Sequence, residues 1–337
     1  MKMGYTPVEW RDVPLVSIYP SRGGVSMANV FVTGAAGVIG TAVVEMLIQK
    51  GHTVTATDSK PNPFANPAVT YIQTDITAKD KITVALRNCE CLIHLACSVD
   101  NDFQPYLSAE ETKLSAAVDK YIYKAAVDAN MKSIMMLSTY QVYAQPKNRE
   151  PVRETFPEKP ASIYGKLKLA SEKALEAAVK KAYGTKGIIM RVCPVYSKRF
   201  ADNLRSRVQD PRDGTVFIYG YGDYGYSFTC IYNLTDFIAA ALSGNKETAG
   251  VYNICDSKPT AAKEIAEFLK VEHNVANIQT RSYSSENLKQ QFTVFGSKAV
   301  LTEYRYLDPA TACSNICYDN TRAQQISTFR WKLSNTK

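Results

Sequence analysis

The stretch NVFVTGAAGVIGTAVVEMLIQKGHTVTATD, residues 29–58, decides how the rest of the chain is read. Its first part, NVFVTG, is rich in β-branched and aromatic residues and predicts a strand. The part GTAVVEMLIQKG carries apolar residues at helical spacing and stops at Gly51. TVTATD predicts a second strand, closed by Asp58. Three glycines, Gly34, Gly37 and Gly40, stand where the first strand hands over to the helix.

Glycine at those three places has a physical purpose. The chain must turn tightly, let an anion approach its backbone, and pack a helix against a strand without a Cβ in between. The start of the helix then presents unpaired N–H groups and the positive end of its dipole. Asp58 follows Gly34 by 24 residues, the distance at which a carboxylate accepts hydrogen bonds from a ribose. Together these features predict a dinucleotide site. A carboxylate at that place repels a 2′-phosphate, so NAD is favoured over NADP, with Lys60 as the one nearby feature that speaks for NADP.

Working outward, strand-like and helix-like segments alternate. AVTYIQTD (68–75), CECLIHLAC (89–97), SIMMLST (133–139) and GIIMRVCPVY (187–196) predict further strands. KITVALRN (81–88), residues 110–130 and SIYGKLKLASEKALEAAVKKAYG (162–184) predict helices. Continuous apolar strands separated by helical crossovers imply a buried parallel sheet covered on both faces. The predicted class is therefore α/β, a Rossmann-type doubly wound parallel sheet with a smaller C-terminal substrate-binding lobe. The expected division is an N-terminal extension (1–26), a dinucleotide-binding domain (27–197) and the substrate lobe (198–337), which partly returns to the sheet.

The bulk properties narrow the function classes. With 45% apolar and 21% charged residues in 337, the chain has ordinary globular composition. No apolar run approaches the roughly 18 residues of a membrane span, and the N-terminal segment lacks the pattern of a signal peptide. Eight cysteines form no CxxC pair and three histidines have no metal-ligand spacing, so reduced structural cysteines and no metal site are expected. A Cys313–Cys317 disulfide is the one exception held open. The net charge of +8 is dispersed, with much of it between residues 147 and 212, and resembles no nucleic-acid motif. Solvated helix faces explain it, or a weakly positive mouth for an anion. A cytoplasmic protein acting on a small molecule is expected, without nucleic-acid or membrane partners.

The glycine spacing, TGAAGVIG, resembles the TGxxGxxG pattern of the extended short-chain dehydrogenase/reductases, the NAD-dependent epimerase/dehydratase family. Further segments are similar in order: TDI at 74–76, IHLAC at 93–97, LSTYQVY at 137–143, YGKLK at 164–168, YNICD at 252–256 and the DNTRAQQI…FRW tail. The resemblance covers roughly residues 28–332. It implies NAD held by Gly34, Gly37, Val38, Ile39, Gly40 and Asp58, by Asp75 and Ile76, by Leu95, Ala96 and Cys97, and by Tyr164, Lys168 and Cys193. It also implies a homodimer paired through the helices at 110–130 and 161–183.

The resemblance places Thr139, Tyr164 and Lys168 in the catalytic roles, and their chemistry is independently sensible. Tyr164 and Lys168 lie four residues apart on one helix face. A phenol with a free pKa of about 10 needs a neighbouring ammonium to serve as base toward an alcohol. A chance Tyr-x-x-x-Lys is common among 21 tyrosines, and it is the position after the fifth strand that selects this one. A strand-end hydroxyl bonding to backbone is the ordinary alternative for Thr139, and His94 is expected to order the end of the fourth strand. Where relatives often carry an asparagine or an arginine, this chain has Pro194, Tyr226 and Ser115, and Tyr140-Gln141 stand in place of the Asp-Glu pair of sugar dehydratases. A dehydratase is not expected, and a substrate without a nucleotide diphosphate fits better. The aromatic loop at 218–226 forms either a pocket wall or a packed turn. Three functions follow: an oxidoreductase moving a hydride between NAD and a secondary alcohol or ketone of a sugar or related small molecule, an epimerase that retains NAD, or a non-catalytic NAD-reading regulator.

Overall fold

Strand β1 (Asn29–Thr33) runs through the middle of a parallel sheet, bonded on one side to β2 (Thr53–Asp58) and on the other to β4 (Cys91–His94). The computed structural model describes residues 27–97, 109–144, 146, 150–210, 213–244, 247–282 and 316–333. The extension 1–26 and Cys313, one half of the disulfide held open above, lie outside these residues. Beyond β2 lies β3 (Val69–Gln73), and beyond β4 come β5 (Ser133–Thr139) and β6 (Lys186–Val192). The order β3-β2-β1-β4-β5-β6 reverses between β1 and β4, which puts a crevice at the carboxyl ends of those two strands.

Both faces of the sheet are covered. Val30 and Val32 of β1, Met135 and Leu137 of β5 and Ile188 and Met190 of β6 join one apolar core, with helix α1 (Val38–Gln49) over it. The alternate residues Phe31, Ile134, Met136 and Ile189 join the other. That second core is covered by α2 (Lys79–Leu86), α3 (Ala109–Asp128) and α4 (Ile163–Val179). Strands apolar on both sides have no solvent face to show, which is why their sequences lack polar alternation.

Two boundaries differ from the sequence expectation for local reasons. The predicted sixth strand breaks after Val192, because Pro194 has no N–H to give the ladder. The chain resumes as β7 (Val195–Tyr196), which pairs with β10 (Thr229–Cys230) instead. Ser162 stands outside α4 as its cap, its Oγ accepting the Gly165 N–H at 2.9 Å.

The later part of the chain serves two cores. Helix α5 (Asp202–Val208), β8 (Val216–Tyr219), β9 (Gly225–Tyr226), β12 (Thr260–Ala261), α7 (Ala262–His273) and β13 (Ile278–Arg281) surround a smaller core with Tyr196, Phe217, Phe228 and Leu269. Helix α6 (Ile231–Leu242) instead returns to the main sheet, packing Leu234, Phe237 and Ile238 beside α1's core residues. Strand β11 (Gly250–Ile254) adds a seventh parallel strand beside β6.

Candidate active site

Because every strand of the large sheet is parallel, its carboxyl ends share one edge, and the candidate residues follow one strand after another along it. The glycine turn follows β1, Asp58 ends β2, Asp75 follows β3, Leu95–Cys97 follow β4, Thr139 ends β5 and Cys193 follows β6.

The glycine turn is built to bring backbone close to other backbone. Gly34 has φ +69°, and a Cβ there would stand 2.7 Å from Ala96 N. At Gly40 a Cβ would stand 2.7 Å from Ala35 Cα. Gly37 differs, since a Cβ there would meet only Gly34 O, at 3.4 Å. Gly37 is the N-cap of α1, with no side-chain cap and no acidic residue in the first turn. The start of this helix therefore offers its N–H groups, including those of Val38 and Ile39, to an anion rather than to its own side chains. Asp58 steadies the turn, Oδ2 accepting the Ala36 N–H and Oδ1 the Lys60 N–H, both at 3.0 Å. A cradle that side chains would fill, an uncapped helix start and a carboxylate at the second strand's end fit a dinucleotide.

Asp75 and Ile76 are less directly engaged. Asp75 is exposed, and its Oδ1 accepts both the Thr77 hydroxyl at 2.6 Å and the Thr77 N–H at 2.8 Å. Those two hydrogen bonds hold its carboxyl below the usual range. Ile76 packs partly against the α2–α3 core. Cys193 is buried, and its N–H reaches Thr229 Oγ1 at 3.0 Å. Leu95 is buried, while Ala96 and Cys97 are half-buried beside the glycine turn.

Around β5 the structure brings the catalytic candidates onto adjoining elements. Thr139 is buried, and its Oγ1 accepts the Gln141 N–H at 3.3 Å within a 3-10 turn, Tyr140–Val142. Helix α4 presses on that turn at Gly165, where a Cβ would come within 3.0 Å of both the Gln141 carbonyl carbon and Pro160 Cβ. Ser162 Oγ donates to Gln141 Oε1 at 2.5 Å, joining the same two elements. Lys168 is only 4% exposed, and its ammonium lies 5.7 Å from the centre of the Tyr164 ring. Deeper in the same helix, Glu172 is fully buried against Arg191, with Nε–Oε1 at 3.0 Å and NH2–Oε2 at 2.6 Å. Ser138, beside Thr139, also donates to Glu172. This forked pair ties α4 to β5 and β6.

Three features of the site carry little sequence signal. Gly165 is only a spacer within YGKLK on sequence grounds, although a glycine one residue after the tyrosine marks the helix's close approach. The Arg191–Glu172 pair joins residues from two elements, and no local pattern announces it. Half-buried Asp119 stands beside the buried positions Ser115, Val118, Ile122, Tyr123 and Ala126 of α3, so an acid next to core positions is the available signal. In the 218–226 loop, Tyr219 and Tyr224 are packed inside, Tyr224 Oη accepting the Tyr219 N–H at 3.2 Å, while Tyr221 is 91% exposed. The Arg207 guanidinium lies 6.0 Å from the Tyr226 ring.

Known proteins are similar to this chain. A model described as the NAD dependent epimerase/dehydratase family matches residues 30–255. The putative UDP-glucose 4-epimerase of Methanocaldococcus jannaschii is 26% identical over 72% of this chain and 82% of that protein. The dTDP-6-deoxy-L-talose 4-dehydrogenase (NAD(+)) of Aggregatibacter actinomycetemcomitans is 25% identical over 73% of this chain and 91% of that protein. The UDP-glucuronic acid 4-epimerase of Bacillus cereus, solved in complex with NAD, is similar in fold, with a TM-score of 0.66 at 22% identity over 91% of this chain and 95% of that one. Matched over most of its length, with the glycine turn and the Tyr-x-x-x-Lys helix both in place, the chain belongs to the NAD-dependent epimerase/dehydratase family.

Proposed function

We propose that the protein interconverts a secondary alcohol and a ketone on a sugar or related small molecule, with NAD as its cofactor. NAD, when bound, supplies the two-electron acceptor or donor for the carbinol carbon. Gly34, Gly37 and Gly40 would hold its pyrophosphate near the first turn of α1, and Asp58 would accept hydrogen bonds from its ribose hydroxyls. Tyr164 takes the hydroxyl proton of the alcohol, Lys168 stabilises the phenolate, and Thr139 orients the reacting oxygen. The observation that carries this reading is the close seating of α4 on the turn after β5, with the Lys168 ammonium beside the Tyr164 ring.

The test is a screen of secondary alcohols, ketones and nucleotide sugars with NAD and NADP in parallel, read by the absorbance of the reduced cofactor. Tyr164→Phe should abolish turnover and leave NAD affinity nearly unchanged; full rate in that variant would refute the assignment. A second reading, an epimerase, is favoured by 4-epimerases among the similar proteins. It predicts NAD that co-purifies with the protein and product formation with no net absorbance change. Cys89, Cys91, Cys230 and Cys255, buried as thiols, support a reducing, cytoplasmic setting. No described helix is long and apolar enough to cross a membrane. A homodimer through α3 and α4 is supported by Leu114, which stands exposed on the outer side of α3.

A further inference from the structure

Helices α3 and α4 both leave the carboxyl edge of the sheet and run toward its amino edge, so they lie parallel and in register. Tyr123 Oη and Ser171 Oγ, 2.8 Å apart, fix that register. One turn earlier on each helix stand Asp119 and Lys168, which therefore share this seam, with Asp119 within reach of the Lys168 charge. From below, His94 at the end of β4 places Nε2 at 3.2 Å from Asp119 Oδ1. Its other nitrogen, Nδ1, lies 2.8 Å from Thr33 Oγ1. Thr33 Oγ1 in turn accepts the N–H of Ala96, the residue pressed against Gly34. The chain is satisfied with the His94 proton on Nε2, donated to Asp119, and the Thr33 hydroxyl donated to Nδ1. A continuous line of hydrogen bonds thus leads from the backbone beside the glycine turn to Asp119, on the seam that also holds Lys168.

We propose that Asp119 is a positioning residue that couples this line to Lys168 and, through Lys168, sets the acidity of Tyr164. The proposal rests on the reading of Tyr164 as the base. A carboxylate on the facing helix, within electrostatic reach of the ammonium, offsets part of its charge. The ammonium then stabilises the phenolate less than an uncompensated one would. The electrostatics of Asp119 agree. Burial raises its carboxyl, but the hydrogen bond and charge of His94, then the charge of Lys168 and a hydrogen bond from Ser171, together outweigh burial and hold it below the usual range. Other titratable groups around this seam are Tyr123 on α3, Glu172 on α4, Cys97 after β4 and His94 itself.

Ultraviolet difference titration of the wild type against Tyr164→Phe isolates the ionisation of the Tyr164 phenol, with the same NAD concentration throughout and circular dichroism marking the range of intact fold. Repeating it in Asp119→Asn should move that step to lower pH by about one unit, the low end of the range for a nearby charge. Asp119→Glu should return it toward the wild-type position. Asp119→Ser removes the same charge and serves if the Asn variant does not fold. A step that is the same in wild type and in the folded Asn and Ser variants, or absent from all of them, overturns the proposal whatever the melting temperature does. The readout needs no turnover, so it is separate from the catalytic reading, which fails instead if Tyr164→Phe keeps full rate.

Discussion

Gly37 sits at the start of α1 with φ −76° and ψ 169°, a region open to any L-residue, and a Cβ there would touch only Gly34 O at 3.4 Å. Gly37→Ala should therefore cost the fold almost nothing. Restricting the unfolded chain contributes about 0.4–1 kcal/mol in its favour. The new methyl would stand over the uncapped helix start, where the pyrophosphate must come close. Losing one charge-assisted hydrogen bond there costs about 1.5–3 kcal/mol, or roughly 10- to 150-fold in NAD affinity. Gly40 behaves in the opposite way. Its Cβ would lie 2.7 Å from Ala35 Cα and from Ala35 C, backbone atoms that cannot rotate aside. Carbon atoms prefer about 3.5–4.0 Å, so α1 must retreat by roughly 1 Å from the turn. Overpacking of this kind costs about 1–3 kcal/mol, offset in part by the better helix propensity of alanine. Titration with NADH by fluorescence, alongside urea unfolding, separates the two variants. A folded Gly37→Ala protein that binds NADH as tightly as the wild type would refute the cradle. An unfolding midpoint for Gly37→Ala lowered as much as that of Gly40→Ala would refute the geometric argument itself.

Glu172→Gln should destabilise the protein by about 3–5 kcal/mol in urea, because it leaves Arg191, 1% exposed, with Glu158 as its remaining carboxylate. The double variant Glu172→Met/Arg191→Met should recover most of that loss, and a single-variant cost below about 1 kcal/mol would show that the pair is not what holds α4 to the sheet. Asp256 is buried and accepts hydrogen bonds from Tyr196 Oη, Cys230 N and Asn233 Nδ2, each at 2.8 Å. Burial nevertheless pushes its carboxyl up to about 6, with those donors opposing. A raised folded-state value means that this group's stabilisation is complete below the unfolded value near 4 and is lost as pH rises through about 6. The rise from 3.8 to about 6 corresponds to at most about 3 kcal/mol. Between about pH 4.5 and about pH 7 the urea midpoint of the wild type should therefore fall relative to that of Asp256→Asn, and parallel profiles would contradict the assignment.

Much of the candidate site was legible because its residues are close in sequence and their geometry is local. A strand, a glycine turn and a helix start fall within residues 29–49, so spacing alone predicts where an anion would sit. Tyr164 and Lys168 share a helix, and helical periodicity puts them on one face without any tertiary information. The residues of the smaller core were less legible. Tyr226 faces the guanidinium of Arg207 from α5, and no local pattern pairs these two positions.

The sequence by itself determined the parallel, doubly covered sheet and the glycine turn between its first strand and helix, since apolar runs and glycine spacing act within one βαβ unit. Tertiary structure alone decided which distant side chains meet. It joined β11 to β6, seated α4 on the Gln141 turn through Gly165, and brought His94 to Asp119 across a helical crossover. Those contacts depend on how whole elements pack, and a hydrogen bond between residues on different elements leaves no periodic trace in the chain that carries them.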